Sequence, residues 1–132
     1  MFRLLCALPL VLPACAGDQT VSAFADPSAT YRLTELDGAP FPARATISFP
    51  ETGVVRGSAP CNDYSASQSA PYPWLEIGNI RATRLACGAT EQETRFFQAL
   101  SDMAFAEVSG DTILLSNDAG REMLFSRSDA DQ

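Results

Sequence analysis

The chain has 132 residues, a formal net charge of −7 and nine basic residues, all of them arginine. This length predicts one domain. The lack of histidine excludes His-dependent catalytic triads and His-based metal sites, and the lack of lysine excludes Schiff-base chemistry. An acidic chain with scattered arginines also lacks the basic face that binds nucleic acid. We therefore predict no metal, no cofactor and no nucleic-acid partner.

The N-terminus has the composition of a signal peptide. Arg3 supplies a positive charge, and residues 4–12 are apolar. This apolar run is too short to span a bilayer as a helix, and its prolines disfavour a stable one. It is typical of the hydrophobic region of a leader. We predict a signal peptide over residues 1–14.

Leu12-Pro13-Ala14-Cys15 resembles a bacterial lipobox, whose cysteine is lipidated and becomes the new N-terminus. Pro13 departs from the small residue that is usual at its position. The predicted product is an outer-membrane lipoprotein that faces the periplasm, held by a lipidated tether over residues 15–28. The alternative is cleavage after Ala14-Cys15-Ala16, which has the A-x-A form and would release a soluble periplasmic protein.

The body consists mostly of short runs that alternate apolar and polar residues between turn residues, a pattern typical of antiparallel β structure. The predicted strands lie at residues 31–34, 46–49, 54–57, 105–108, 112–115 and 122–125. A further hairpin, of residues 74–77 and 80–85, is predicted around Gly78-Asn79.

One segment has helical periodicity. Thr90-Glu91-Gln92-Glu93 matches a capping box, in which Thr90 caps the helix and Glu93 reaches back to it. Phe96, Leu100 and Met103 follow at helical spacing. We predict one helix of about three turns that packs on the sheet, and a fold class of α+β, mainly antiparallel β.

Cys61 and Cys87 are the cysteines of the body, and export favours a disulfide between them. The loop that it closes would be worth about 3–4 kcal/mol in the chain-entropy picture. Two buried free thiols are the alternative. Without histidine or lysine to activate it, a catalytic thiol is disfavoured.

Asn62, Asp63 and Tyr64 follow Cys61 directly and are compatible with a polar pocket. The interpretation we favour is that Asn62 bonds the backbone at a bend while Tyr64 packs. Glu91 and Glu93 are compatible with paired carboxylates for acid–base chemistry. Capping and surface roles already explain both glutamates, so we assign no catalytic residue.

The order of these signals resembles the META domain, the family of the heat-shock-inducible HslJ-type lipoproteins. The likeness rests on Gly57, Cys61-Asn62-Asp63-Tyr64, Thr83-Arg84-Leu85-Ala86-Cys87, Glu93 with Phe96 and Leu100, Gly110-Asp111-Thr112-Ile113-Leu114-Leu115, and Leu124-Phe125. Three features depart from the family pattern: Tyr31 stands where the family usually has Trp, Pro60 replaces a Gly, and Ser65-Ala66-Ser67 replaces a Gly-containing segment.

The resemblance implies a META domain over residues 29–127 and a compact barrel-like sheet with one helix. The acidic, polar composition of the C-terminus predicts a disordered tail over residues 128–132. Gly57, Asn62, Tyr64 and Thr83 are the family-motif residues. The resemblance implies an envelope protein with a stress-response role, and because the family has no established catalytic residues we expect it to be non-enzymatic. We also expect a monomer with an unknown envelope partner. The alternative is a binding module, such as a hydrolase inhibitor or a carrier of a small apolar ligand, which would use Tyr72 and Trp74 in the Pro-rich loop.

Overall fold

The computed structural model describes residues 8–12 and 17–128. Cys15, and with it the predicted lipidation and cleavage sites, lies outside the described residues, as does the tail beyond residue 128. The apolar side chains of residues 8–12 are exposed; Leu10, for example, is 86% exposed. No helix in the described part of the chain is both long enough and apolar enough to cross a membrane.

Within residues 17–128, one short 3-10 helix precedes nine strands and one α-helix. The 3-10 helix is Val21–Ala23. The strands are β1 (Tyr31–Leu36), β2 (Ala39–Pro40), β3 (Thr46–Glu51), β4 (Gly53–Ser58), β5 (Asp63–Gln68), β6 (Arg81–Ala82), β7 (Phe105–Ser109), β8 (Thr112–Ser116) and β9 (Glu122–Arg127), and the helix α1 is Thr90–Asp102.

All strand pairs are antiparallel, in the order β6-β5-β4-β3-β1-β9-β8-β7, with β2 attached to β1. The strand β1 therefore joins the β3–β6 part of the sheet to the C-terminal meander. Over the described residues the sheet is not closed, since β6 and β7 end it on either side. The predicted class, mainly antiparallel β with one helix, is confirmed, whereas the sheet is open rather than a barrel.

The helix packs its predicted apolar stripe into the core. Phe96, Leu100 and Met103 are all buried. The ring of Phe96 lies 5.5 Å from that of Tyr64 on β5 and 6.4 Å from that of Phe41. Burying side chains of this size contributes about 1.5–3 kcal/mol each. The helix is thus held mainly by its apolar face.

Two strand predictions differ from the structure. The strand β5 was not predicted, because its serines and alanines have low β propensity. It forms nonetheless, since it pairs with β4 along its whole length, from Gly53 opposite Gln68 to Ser58 opposite Asp63. The predicted hairpin of residues 74–85 is wrong. Trp74 instead makes an isolated bridge to Phe105, and β6 is only two residues long.

The segment before β1 is packed on the domain rather than free. Val21 and Ala25 belong to the core. Asp18 accepts hydrogen bonds from the Thr20 backbone and hydroxyl at 2.8 and 2.6 Å, and a further one from Ser22. These bonds lower the pKa of Asp18 to about 2, and the bond from Ser22 has the largest effect. Residues 18–25, within the segment predicted as a tether, are therefore held against the domain.

Gly57 stands where β4 approaches its neighbours too closely for any side chain. A Cβ placed there would lie 2.1 Å from the Thr46 carbonyl oxygen and 2.8 Å from the Tyr64 ring. The Tyr64 hydroxyl donates to that same Thr46 oxygen at 2.7 Å. The glycine therefore leaves the space in which this buried hydrogen bond forms.

We expect Gly57→Ala to destabilise the domain by about 1–3 kcal/mol or more, because the added methyl group overpacks this contact. Urea denaturation would measure the change. The matched control is Gly88→Ala, whose Cβ would meet no atom within 4 Å. Equal denaturation midpoints for the two variants would contradict the steric role of Gly57.

Candidate functional site

The polar centre of the molecule is the carboxylate of Glu93, which lies on α1 and is only 8% exposed. Its Oε1 accepts the backbone N–H groups of Cys61 at 3.0 Å and Asn62 at 2.8 Å. Its Oε2 accepts the Asn62 side-chain amide at 2.8 Å. A buried carboxylate needs such donors, because an unpaired one would be very costly. The helix is thereby joined to the bend between β4 and β5.

The predicted capping box does not form. The helix begins at Thr90, and its N-cap is Ala89, which makes no side-chain capping bond. The Thr90 hydroxyl donates instead to the Cys87 carbonyl at 2.9 Å. Glu93 is buried rather than on the surface, because the bend presents N–H groups that have no strand partner. These compete successfully with the local cap.

The side chain of Asn62, itself buried, extends the same network. Its Oδ1 accepts the Thr83 hydroxyl at 2.9 Å and the Leu85 N–H at 2.6 Å. Its Nδ2 also donates to the Leu85 carbonyl at 3.0 Å. The predicted bonding of Asn62 to the backbone at a bend is confirmed. The partner that sequence reasoning missed is Glu93, although its helical position three residues before Phe96 placed it next to the core-facing stripe.

The disulfide between Cys61 and Cys87 is confirmed, with a Cα–Cα distance of 5.6 Å and a sequence separation of 26 residues. Free thiols at these positions are therefore excluded. The disulfide connects the β4–β5 bend to the segment that leads into α1. It joins almost the same two regions as the Asn62 network, a few residues away.

Tyr64 packs, as predicted, beneath the helix. Its ring makes edge-on contacts with Phe96 and Phe97, both at 5.5 Å between ring centroids. Burial raises the pKa of the Tyr64 hydroxyl well above its ordinary value. The hydroxyl is thus held as a neutral donor to Thr46.

The structure brings the family-motif residues together in a structural role. The hydrogen-bonded group of Glu93, Asn62 and Thr83 is called the Glu93 brace below. Asn62 donates to the Glu93 carboxylate, Thr83 donates to Asn62, and the disulfide begins at Cys61 next to Asn62. Gly57 and Tyr64 meet at Thr46. The polar side-chain atoms of Asn62 and Glu93 all bond to other groups of the protein. In the described part of the chain, no cluster of three or more acidic or cysteine side chains is placed to hold a metal ion.

Two accessible surfaces lie outside this brace. An open cleft of about 590 Å³ lies between β6 and α1; Ile80, Ala82 and Phe97 form its apolar side, and Asp102 and Arg121 its charged side. Arg121 pairs with Asp37 and Asp102, each at 3.0 Å. Elsewhere, the aromatic rings of Phe24 and Trp74 are each 55% exposed. Trp74 was considered from the sequence together with Tyr72, whereas Phe24 was missed because it fell in the predicted tether.

We expect Glu93→Gln to destabilise the domain by about 1–3 kcal/mol. The glutamine can still accept the two backbone N–H groups, but its amide nitrogen would face that of Asn62, which is fixed by Leu85. Chemical denaturation of the disulfide-bonded protein measures the change.

The control is Glu91→Gln, which removes a carboxylate of the same type from an exposed position in the same helical turn. Its effect should stay within about 0.5 kcal/mol. A Glu93→Gln protein as stable as this control would contradict the bracing role.

Solved structures with the same fold are known. The NMR structure of a protein from Burkholderia xenovorans matches with a TM-score of 0.62 and 22% identity, covering 76% of this chain and 82% of that chain. The crystal structure of a DUF4847 family protein from Bacteroides vulgatus matches with a TM-score of 0.58 and 15% identity, covering 75% and 92%. At these identities the likeness shows the fold alone.

No curated protein matches the chain significantly. The family model of the META domain matches residues 24–130, which include the Glu93 brace, the disulfide and all of the sheet. The resemblance drawn from the motif residues is thus confirmed, and the chain belongs to the META domain family.

Proposed function

We propose that the protein is a non-enzymatic lipoprotein of the bacterial envelope that acts in stress tolerance through its surface. The observation that carries this proposal is that three of the residues behind the family likeness, Asn62, Tyr64 and Glu93, are buried and bonded within the protein. Their chemistry therefore stabilises the fold. What remains for function is the outer surface.

The leader supports placement at the outer membrane, facing the periplasm. Cys15 follows an apolar run and a lipobox-like sequence, and the disulfide of the body suits an oxidising compartment. In this proposal the protein is a monomer, and the lipid on Cys15 attaches it to the membrane. A further envelope protein is its expected partner.

We expect the mature protein to begin at Cys15 and to carry lipid, and mass spectrometry of the purified protein measures this directly. Cys15→Ala should abolish the lipid and release the protein from membranes, while Cys6→Ala, within the leader, should change neither. Loss of the gene should lower survival after heat shock. Proteins that keep Cys15 should restore survival, whereas Cys15→Ala should not. A mature N-terminus at Gly17, or restoration by Cys15→Ala, would contradict anchoring.

A second candidate function is transport of a small apolar ligand, and the cleft between β6 and α1 is the observation that favours it. Ile80, Ala82 and Phe97 give it an apolar wall beside the guanidinium of Arg121. Such a lining suits a small apolar molecule, since Arg121 is already paired with Asp37 and Asp102.

If the cleft binds such molecules, the neutral probe N-phenyl-1-naphthylamine should bind the native protein saturably, with increased fluorescence. Ala82→Trp should fill the cleft and abolish this signal, whereas Ala23→Trp, at an exposed position outside it, should not. No saturable signal from the native protein, or the same signal from both variants, would argue against a carrier.

A further inference from the structure

An exposed aromatic surface surrounds the turn at residues 71–74. The Trp74 N–H donates to the Pro71 carbonyl at 2.8 Å, which closes the turn. Tyr72 stacks on Phe24 with ring centroids 4.1 Å apart, and Trp74 lies 5.1 Å from Phe105. Phe24, Tyr72, Trp74 and Phe105 together are called the aromatic surface below. Phe24 and Trp74 are exposed and Tyr72 and Phe105 are half-buried; a contiguous exposed apolar patch marks an interaction site more often than isolated apolar residues do.

Hydrogen bonds hold this surface in place. The Tyr72 hydroxyl accepts the Val108 N–H at 3.0 Å, and the Ala106 N–H donates to the Pro73 carbonyl at 2.8 Å. The Leu75 N–H donates to the Ala104 carbonyl at 2.9 Å. The turn is thereby fixed along the edge of β7. Rings held in this way lose little conformational freedom when they bind.

The chain enters the domain at this same surface. The Tyr72 N–H donates to the Gln19 carbonyl at 2.7 Å, and Thr20 and Val21 are already buried. Cys15 precedes Gln19 by four residues, which span at most about 14 Å when fully extended. A lipid on Cys15 would therefore hold the aromatic surface close to the bilayer.

The chemistry of the surface suits lipid. Tryptophan and tyrosine concentrate at membrane–water interfaces, because each has an apolar ring and a polar group. The exposed charged residues beside the turn and on β7, Glu76 and Glu107, are acidic. They favour zwitterionic over anionic headgroups, since like charges repel.

We propose that the aromatic surface is a membrane-contact site that inserts Phe24 and Trp74 among zwitterionic lipids and orients the anchored domain on the bilayer. This proposal rests on the lipidation of Cys15. The lipid would hold the domain at the membrane, and the aromatic surface would fix which side of the domain faces the bilayer.

The test uses Trp74, the single tryptophan of the chain, as its own reporter. The full-length mature protein is purified, the lipid on Cys15 is verified by mass spectrometry, and the protein is reconstituted into phosphatidylcholine vesicles. We expect its emission to shift to shorter wavelength and to be quenched by phosphatidylcholine brominated on the acyl chains. Vesicles rich in phosphatidylglycerol should give weaker quenching.

The variant Phe24→Ser should lose most of the quenching, because one of the two inserted rings is gone. The control is Leu85→Ser, which removes another exposed apolar side chain (70% exposed) away from the aromatic surface. Only the backbone of Leu85 bonds to Asn62 of the Glu93 brace, and this variant should leave the quenching unchanged. Both positions are exposed, so both variants should fold.

Each outcome separates the two proposals. Lipidated protein whose Trp74 is not quenched overturns the contact site and leaves the anchor intact. An unmodified Cys15 overturns anchoring and the contact site with it. A blue shift that follows protein concentration, without quenching by brominated lipid, would assign the aromatic surface to a second copy of the chain instead.

Discussion

The position of the helix depends on one buried carboxylate. Glu93 lies on the face of α1 that meets the sheet, and its oxygens accept two backbone N–H groups and one side-chain amide from the β4–β5 bend. Leaving those donors without an acceptor would cost roughly 1–3 kcal/mol each. Apolar contacts of Phe96 and Leu100 hold the helix against the core but are not directional. The Glu93 bonds fix where along the sheet it lies.

The disulfide reinforces the same junction by different physics. Cys61 is both a disulfide partner and a donor to Glu93, while Cys87 lies just before the helix. The covalent bond limits the unfolded chain, whereas the hydrogen bonds act in the folded state. A junction secured in both ways explains why the most recognisable residues of the chain, Asn62 and Thr83 among them, surround it.

The structural features that could be predicted from the sequence are those that depend on residues close together in the chain. The strands β1, β3, β7, β8 and β9 were predicted because their side chains alternate with period two, and the helix because its apolar stripe repeats with helical spacing. The strand β5 was missed, since its pairing with β4 rather than its Ser- and Ala-rich sequence makes it a strand. The capping box was wrongly assigned because Glu93 has distant donors that the local pattern does not reveal. The aromatic surface was only partly predicted, since the fold brings Phe24 and Phe105 from distant parts of the chain to Tyr72 and Trp74.

Tyr31 shows how a departure from the family pattern bears on the structure. It stands where the family usually has Trp and is buried at the start of β1. Its hydroxyl accepts the Asp26 N–H at 3.1 Å, which an indole could not do because it only donates. Asp26 is also paired with Arg127 at 2.8 Å. These bonds help to hold the segment before β1 on the sheet. They keep Phe24 against Tyr72 and leave few free residues between the domain and Cys15. A residue of the core thus helps to fix where the segment before β1 lies on the domain.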